Sequence, residues 1–340
     1  MSADLTPLIQ QVSAGQDLSR AEATEALGAM MSGAVAEDQI AAMLLALRDK
    51  GEAVAEIAGA AAAMREHMTP IRSRHERLLD TCGTGGGGSQ TFNISTTAAL
   101  VIAAAGVPVA KHGNRSVTSR SGSADVLAAL GVNIEASLSQ VERCLDELGV
   151  CFCFAPLMHP AMRHVGAVRK RLGVRTIFNM LGPLANPAGA SHQLLGAGRP
   201  ELRAPLAAAL AELGIERALV VSGDDGLGEI TLAEETSATE VIGDKTSDAT
   251  LAPEMFGLQR QSLQSITVAD AAESAARIRG VLAGDPGAAR DIVLLNAAAG
   301  LVVFGACDDY AEAAARCATV IDRGDAAKLL DRLIKLSNQQ

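Results

Sequence analysis

Residues 80–96, DTCGTGGGGSQTFNIST, form the stretch that decides the fold of this chain. Five glycines, Gly83 and residues 85–88, fall within six successive positions between two apolar segments. This order predicts a strand, a tight loop and the start of a helix. Glycine lets backbone N–H groups approach an anion closely, and the helix N-terminus adds a positive dipole end. The stretch therefore predicts a loop that binds a phosphate or a diphosphate.

Other glycine-rich loops fit this stretch less well. Gly83, Gly85 and Gly88 formally match G-x-G-x-x-G, but a dinucleotide fold needs an acidic residue about 20 positions further on, for the ribose. Here the next predicted strand ends in Lys111-His112, and a cation suits a phosphate better. A Walker A loop would need Gly-Lys-Ser/Thr, which is missing. A flexible linker is disfavoured because ordered apolar segments flank the glycines.

The elements around this loop predict an α/β protein with two parts. Residues 1–72 have only helical patterns, with a capping box at Ser19–Glu22 and a helix stop at Gly51. After that, strands alternate with helices, which favours a parallel-rich sheet covered on both faces. We predict a small all-helical N-terminal domain, residues 1–72, completed by helical residues around 160–185. A larger α/β domain, residues 73–340, would hold a central, largely parallel sheet flanked by helices, with strands at 107–111, 150–155, 193–196 and 218–222 and helices at 96–106, 123–131, 138–149, 201–214, 291–306 and 310–336.

Composition excludes several classes of function. The 340 residues carry a formal net charge of −10 and only 2% aromatic residues. An acidic chain without basic runs or stacking platforms is a poor binder of nucleic acid or of anionic membranes. The six cysteines form no CxxC pair and the N-terminus has no signal-peptide pattern, which predicts reduced, buried thiols and a cytoplasmic location.

A second motif follows the next predicted strand. Residues 111–125, KHGNRSVTSRSGSAD, place one lysine, two arginines and several hydroxyls in a loop. Cations for phosphates and neutral donors for other oxygens are what a phosphorylated sugar requires. A solvated basic loop is the competing interpretation, but the Gly113-Asn114 and Ser121-Gly122 pairs indicate specific turns.

Two later motifs are weaker signals, and each has a strong alternative. Residues 154–187 form a strand end and a basic helix in which Arg169 or Arg175 could pair with a carboxylate, although a solvated helix face explains either arginine equally well from spacing alone. Residues 222–229, SGDDGLGE, follow a strand and carry three carboxylates, which suits Mg²⁺ bound together with ligand phosphates. A plain Asp-rich turn is the strong competitor there.

In this order, the four motifs resemble the anthranilate phosphoribosyltransferase family. The family pattern is GTGGDG with TFNIST, then KHGNR with SGSAD, then FAP, HPA, RTIFN, LGPL and NPA, and finally DGLDE. The resemblance covers nearly the whole chain. It implies a small helical domain joined to an α/β domain, and a homodimer formed through the helical domains.

The resemblance also implies a reaction and a set of site residues. Anthranilate and 5-phosphoribosyl 1-diphosphate would give N-(5-phosphoribosyl)anthranilate and pyrophosphate, with Mg²⁺ as cofactor and no acid–base catalytic residue. The implied anthranilate site is Gly83, Asn114, His159 and Arg169. The implied metal ligands are Ser95 and Glu229. The implied phosphoribosyl-diphosphate site comprises Gly83, Gly86, Gly87, Thr91, Asn93, Ile94, Ser95, Thr96, Lys111, His112, Gly113, Asn114, Arg115, Ser116, Val117, Thr118, Ser119 and Ser123.

Two positions depart from the family pattern. Gly87 stands where GTGGDG has its Asp, and Gly228 stands where DGLDE has its first acid. Both changes remove negative charge from the expected diphosphate–metal region. We therefore expect a weakened second Mg²⁺ site and an altered metal dependence, with Asp224 or Asp225 as candidate substitutes.

Two other functions remain open on the sequence. A pyrimidine nucleoside phosphorylase would share the fold, although its lysine loop differs. A non-catalytic paralogue that binds nucleic acid would need a basic groove, and the acidity of the chain speaks against it.

Overall fold

The computed structural model describes residues 3–85, 90–116 and 121–339. The described chain begins with helices and continues with alternating strands and helices. The helices are α1 (Thr6–Ser13), α2 (Arg20–Met31), α3 (Glu37–Lys50), α4 (Val54–Glu66), α5 (Ile94–Ala104), α6 (Ser123–Leu130), α7 (Leu138–Leu148), α8 (Ala155–Met158), α9 (Arg163–Leu172), α10 (Phe178–Leu181), α11 (Arg203–Glu212), α12 (Ala271–Leu282), α13 (Ala288–Phe304), α14 (Tyr310–Asp322) and α15 (Asp325–Ser337). The strands are β1 (Leu79–Gly83), β2 (Val109–Gly113), β3 (Val150–Phe154), β4 (His192–Gly196), β5 (Arg217–Gly223), β6 (Thr236–Ile242) and β7 (Lys245–Leu251).

Local sequence signals set the ends of the first helices. The predicted capping box is confirmed: Ser19 accepts from the Glu22 N–H, and the Glu22 carboxylate accepts from the Ser19 N–H at 2.8 Å. α3 ends at Gly51, whose φ of 89° suits glycine. Such caps satisfy backbone groups that a helix end leaves unpaired.

The first helices share a core with a later part of the chain. Val165 and Val168 of α9 and Phe178 and Leu181 of α10 are buried in the same apolar cluster as α1–α4. Helices that lie about 100 positions apart in the chain thus pack together. Each buries an apolar face that would otherwise be exposed to water. The division into two domains at residue 72 stays a prediction.

The seven strands form one sheet in the order β3-β2-β1-β4-β5-β6-β7. β1 to β5 pair in parallel, and β6 and β7 add an antiparallel edge. Successive residues face opposite sides: Leu194 belongs to the core with α5 and α13, whereas Leu195 belongs to the core with α11 and the first helices. The predicted fold class, a helical N-terminal part and an α/β part with a largely parallel sheet, is confirmed.

Some elements differ from the prediction. The hairpin of β6 and β7 is absent from the predicted elements, although its Thr-rich strands and its two-residue Gly243-Asp244 turn are typical signals. α12, which Asp270 caps, is absent from them too. The single helix predicted over residues 310–336 is two helices, because the chain turns at Gly324 with a φ of 70°.

The parallel pairing brings the predicted motifs to one edge of the sheet. The carboxyl ends of β1, β2, β3, β4 and β5 lie side by side, and each motif follows one of these strands. Ligands of open α/β sheets bind at this edge. Within the residues that the structure describes, no helix is long and apolar enough to cross a membrane.

The close packing of α2 against α4 gives a test of the helical core. A Cβ at Gly59 would lie 2.4 Å from the Arg20 carbonyl oxygen and 2.8 Å from the Ala23 Cβ, whereas a Cβ at Gly28 would meet only the His67 Cε1, at 3.6 Å. Gly59→Ala should therefore lower the free energy of unfolding by about 1–3 kcal/mol through overpacking. Gly28→Ala, the matched control in α2, should be neutral or stabilising by up to about 1 kcal/mol. Urea unfolding of both variants measures this, and equal midpoints would contradict the packing account.

Candidate active site

The N-terminus of α5 lies beside the glycine loop. Asn93 caps the helix, and its Oδ1 accepts from the Thr96 N–H at 2.9 Å. The chain enters this cap from an isolated bridge between Thr91 and Thr267. At Gly83 a Cβ would lie 3.2 Å from the Gly196 carbonyl oxygen, so glycine permits the close approach of β1 and β4 at the start of the loop. The sequence thus builds the strand–loop–helix unit that an anion site requires.

Lys111 places a buried cation under this helix end. It is 3% exposed on β2, and its Nζ donates to the Thr81 carbonyl oxygen and, at 3.3 Å, to the Ser95 Oγ. Burial lowers the pKa of Lys111, and the charges of Asp80 and Glu229 oppose that shift. The ammonium therefore ties β1, β2 and α5 together at the edge of the sheet where the motifs meet.

Glu229 reaches the same point from the loop after β5. Its Oε1 accepts from the Ser95 N–H at 3.2 Å, and its Oε2 is buried without a hydrogen-bond partner among the described residues. Burial raises the pKa of Glu229 to about 7, against the opposing charge of Lys111. A small cavity lies here, lined by Thr81, Cys82, Ser95, Ala98, Leu194, Gly196, Val221, Glu229 and Asn296.

These groups can be compared with what Mg²⁺ requires. Mg²⁺ in phosphate sites usually takes one or two carboxylates, while substrate phosphates and waters fill its other positions. The unpartnered Glu229 Oε2 and the neighbouring Ser95 hydroxyl supply one carboxylate and one neutral oxygen. Among the described residues, no group of three or more Asp, Glu, His or Cys side chains could hold a metal ion. A Mg²⁺ ion at this point would therefore need further ligands from a substrate and from water. The residues therefore fit a Mg²⁺ ion that arrives with a phosphorylated ligand.

The candidate substitute acids are engaged inside their own loop. Asp225 accepts from the Leu227 N–H at 3.0 Å and from the Thr231 hydroxyl at 2.6 Å, and Asp224 accepts from the Ser237 hydroxyl at 3.1 Å. Gly228 packs closely on the loop after β4, since a Cβ there would lie 2.9 Å from the Gly198 Cα. That Asp224 or Asp225 replaces the missing acid as a metal ligand stays a prediction. Their hydrogen bonds within the loop do not favour it.

Asp125 holds the two described ends of the loop after β2, a role that the sequence did not single out. Asp125 accepts from the Ser116 N–H at 2.9 Å, from the Gly122 N–H at 3.2 Å and from Arg115 at 3.2 Å. Ser123 donates to the Asn114 carbonyl oxygen at 3.4 Å. Asp125 lies in the predicted SGSAD motif, where an acid three residues after a turn glycine is the signal for such a cap.

His112 and His159 form a buried pair beside this loop. Their Nε2 atoms are 3.1 Å apart, and the His112 Nδ1 lies 3.0 Å from the Gly182 carbonyl oxygen. Burial lowers the pKa of His112 to about 4 and that of His159 to about 3, so both rings are neutral near pH 7. A neutral His112 that donates from Nδ1 must accept at Nε2, so His159 donates from its Nε2.

Arg169 is a largely buried cation on α9. Its guanidinium lies over the Phe178 ring, 5.2 Å from the centroid, and burial lowers its pKa. No carboxylate of the described residues lies within ion-pair distance of it, whereas its neighbour Arg171 pairs with Glu37 at 2.6 Å. A buried guanidinium without an acid is suited to a ligand carboxylate.

Three other site residues predicted from the sequence are buried or closely packed. Ile94 is 1% exposed, so only its backbone is available to a ligand, and the Thr96 hydroxyl is buried without a partner among the described residues. Gly113 lies where a Cβ would meet the Ser123 Oγ at 2.1 Å. The predicted ligands Gly86, Gly87, Val117, Thr118 and Ser119 lie outside the described residues.

Sequence reasoning missed two buried polar residues under the site. Asp80, fully buried on β1, accepts from the His112 N–H at 3.1 Å, and Gln193 on β4 donates to the Pro183 carbonyl oxygen at 2.6 Å. Burial raises the pKa of Asp80, and Lys111 opposes that shift. The available signal was the presence of Asp80 and Gln193 inside apolar strands. Buried polar groups need hydrogen-bond partners, so such residues indicate a polar network beneath the site.

Comparisons with known proteins identify the family of this chain. A family model described as "Glycosyl transferase family, helical bundle domain" matches residues 6–68, and "Glycosyl transferase family, a/b domain" matches residues 75–327. Anthranilate phosphoribosyltransferase of Rhodopirellula baltica is 49% identical over 332 residues, covering 98% of this chain and 97% of the relative. The same enzyme of Moorella thermoacetica is 49% identical over 326 residues, covering 96% of each.

Solved structures give the same result. The crystal structure of anthranilate phosphoribosyltransferase from Thermus thermophilus matches with a TM-score of 0.92 and 44% identity, covering 97% of this chain and 99% of that one. The Saccharomyces cerevisiae enzyme in complex with PRPP and Mg matches with a TM-score of 0.89 and 27% identity, covering 98% and 97%. On this full-length similarity, the chain belongs to the anthranilate phosphoribosyltransferase family.

Proposed function

We propose that this chain transfers the 5-phosphoribosyl group from 5-phosphoribosyl 1-diphosphate to the amine of anthranilate, a step of tryptophan biosynthesis, and releases pyrophosphate. The observation that carries the proposal is the presence of two separate cationic sites. Lys111 lies at the glycine-loop edge of the sheet, and Arg169 lies on α9 without an acid of its own among the described residues. One site suits phosphates and the other suits a carboxylate.

The diphosphate would bind at the N-terminus of α5. Backbone N–H groups of the glycine loop, the Ser95 hydroxyl and the buried Lys111 ammonium all favour negative charge there. The ribosyl phosphate would bind in the loop after β2, where Asp125 holds Arg115 and the backbone of Ser116. The remaining residues of the phosphoribosyl-diphosphate site implied by the resemblance are proposed with them.

Anthranilate would bind between the phosphoribosyl site and α9. Arg169 would pair with its carboxylate, and Gly83, Asn114 and His159 would complete the pocket. The Arg169 guanidinium packs over the Phe178 ring, and this contact restrains it for recognition of a planar carboxylate. The aromatic amine would then point toward C1 of the ribose.

The chemistry requires positioning and leaving-group stabilisation more than acid–base catalysis. The N–C1 bond forms, the C1–O bond to diphosphate breaks, its electron pair leaves with the diphosphate, and the amine loses one proton. The anthranilate nitrogen is a weak base because its lone pair is delocalised into the ring. Once it is bonded to C1 of the ribose it is positively charged and acidic, so its proton passes to water and no strong base is needed. Held substrates and fixed donors on the diphosphate can supply most of the acceleration.

Ser95 and Glu229 are the residues that would hold Mg²⁺. When bound, the ion neutralises charge on the diphosphate and so eases its departure. The Saccharomyces cerevisiae relative is known in complex with PRPP and Mg, which supports the same cofactor here. The homodimer and the cytoplasmic location implied by the resemblance remain predictions.

One assay separates the candidate functions. Anthranilate fluorescence should fall when phosphoribosyl diphosphate and Mg²⁺ are both present, and pyrophosphate should appear in equal amount. A nucleoside phosphorylase would leave anthranilate unconsumed and cleave a nucleoside with phosphate. A non-catalytic paralogue would show neither reaction at any metal concentration, and either of these results would overturn the proposal.

Arg169→Met tests the assignment of the anthranilate carboxylate. Loss of a charge-assisted pair of about 2 kcal/mol should raise the KM for anthranilate by about 30-fold, with a small change in the KM for phosphoribosyl diphosphate. Arg171→Met is the matched control, since its exposed ion pair with Glu37 should contribute little and leave both constants within about twofold. Steady-state kinetics decide, and equal effects of the two substitutions would refute the assignment.

Restoring an acid at position 228 tests the weakened metal site. Gly228→Asp should lower the Mg²⁺ concentration at half-maximal rate by about three- to tenfold, because it adds a carboxylate near Glu229. A Cβ at this position crowds the Gly198 backbone, with 2.9 Å to its Cα and 3.1 Å to its nitrogen. Both Gly228→Asp and Gly228→Ala should therefore lose about 1–3 kcal/mol of stability.

Gly228→Ala is the control that separates the Cβ from the carboxylate. Its metal dependence should equal that of the wild type. If the Asp and Ala variants have the same metal dependence, the missing acid does not limit metal binding.

A further inference from the structure

A short turn between α10 and β4 receives side-chain donors from three different parts of the fold. The turn is the segment Gly182–Leu184, and its three successive carbonyl oxygens are all engaged. Gly182 accepts from His112 Nδ1 at 3.0 Å, and Pro183 accepts from Gln193 Nε2 at 2.6 Å. Leu184 accepts from Arg65 Nε at 2.7 Å.

Arg65 is the donor that comes from the N-terminal helices. It lies in the last turn of α4, and its Nη1 is also 3.5 Å from the Leu213 carbonyl oxygen, just beyond α11. Burial lowers its pKa, and no carboxylate of the described residues pairs with it. Among the described residues, this mostly buried guanidinium donates only to backbone carbonyls. Its role is therefore to fix the position of the backbone more than to neutralise an acid.

The Gly182–Leu184 turn sets the orientation of the histidine pair. The Gly182 carbonyl requires a proton on His112 Nδ1, which leaves Nε2 of that ring as the acceptor for His159 Nε2–H at 3.1 Å. His112 is 5% exposed and His159 is 4% exposed, so water does not compete for these bonds. A shift of the turn would therefore change the tautomer of one ring and the placement of the other.

We propose that Arg65 is a positioning residue: by holding the Leu184 carbonyl, it fixes the Gly182–Leu184 turn, which orients the His112–His159 pair and so places His159 at the anthranilate side of the active site. The kinetic consequence rests on the proposed function, whereas the orientation of the two imidazoles does not. Arg20 offers a matched comparison, because it also reaches from the N-terminal helices and donates to the Glu212 carbonyl oxygen, at 2.8 Å, without touching the turn.

The test compares Arg65→Met, Arg65→Lys and Arg20→Met with the wild type in two measurements. The first is the KM for each substrate and kcat. Arg65→Met keeps the apolar stem but no donor, so the KM for anthranilate should rise about tenfold while the KM for phosphoribosyl diphosphate stays within about twofold. Arg65→Lys keeps a cation without the fixed guanidinium geometry and should show a rise of about threefold. Arg20→Met should match the wild type.

The second measurement is ¹⁵N NMR of the histidine side chains, which needs no substrate. The wild type and Arg20→Met should show His112 protonated on Nδ1 and His159 on Nε2, and Arg65→Met should show mixed tautomers. If Arg65→Met does not fold, Arg65→Lys decides, and a Lys variant with wild-type KM and wild-type imidazole signals overturns the proposal. Equal behaviour of Arg65→Met and Arg20→Met also overturns it. A wild type that never consumes anthranilate contradicts the proposed function, while the NMR comparison still tests Arg65.

Discussion

The buried ammonium of Lys111 is the interaction on which the site depends. It joins the end of β1 through the Thr81 carbonyl and the start of α5 through the Ser95 hydroxyl. A lysine that is 3% exposed needs compensating charge, and Asp80 and Glu229 supply it. The same arrangement leaves a cation and a helix N-terminus at the edge where a diphosphate would bind.

The parallel register explains why distant motifs meet at this ammonium. β1, β2 and β4 pair in parallel, so the loops that follow them emerge at one edge. Glycine at Gly83 and Gly196 lets the strand ends approach more closely than side chains would allow. The helical part contributes Arg169 on α9, and Arg65 on α4, whose Nε donates to the Leu184 carbonyl oxygen.

Much of this could be predicted from the sequence because the signals are local. The capping box at Ser19 and the strand β2 that carries Lys111 each depend on residues close together in the chain. The hairpin of β6 and β7 escaped prediction because its antiparallel pattern differs from that of the buried parallel strands before it. The pairing of Asp125 with Arg115 could not be predicted from the sequence. The two residues are ten positions apart, and no sequence pattern indicates which side chains meet across a loop.

The most direct test of the central claim is a crystal structure of this chain with phosphoribosyl diphosphate and Mg²⁺. We expect the diphosphate at the N-terminus of α5, next to Lys111, with the metal ion coordinated by Glu229 and Ser95. A diphosphate bound away from α5, or a metal ion with no contact to Glu229, would contradict it.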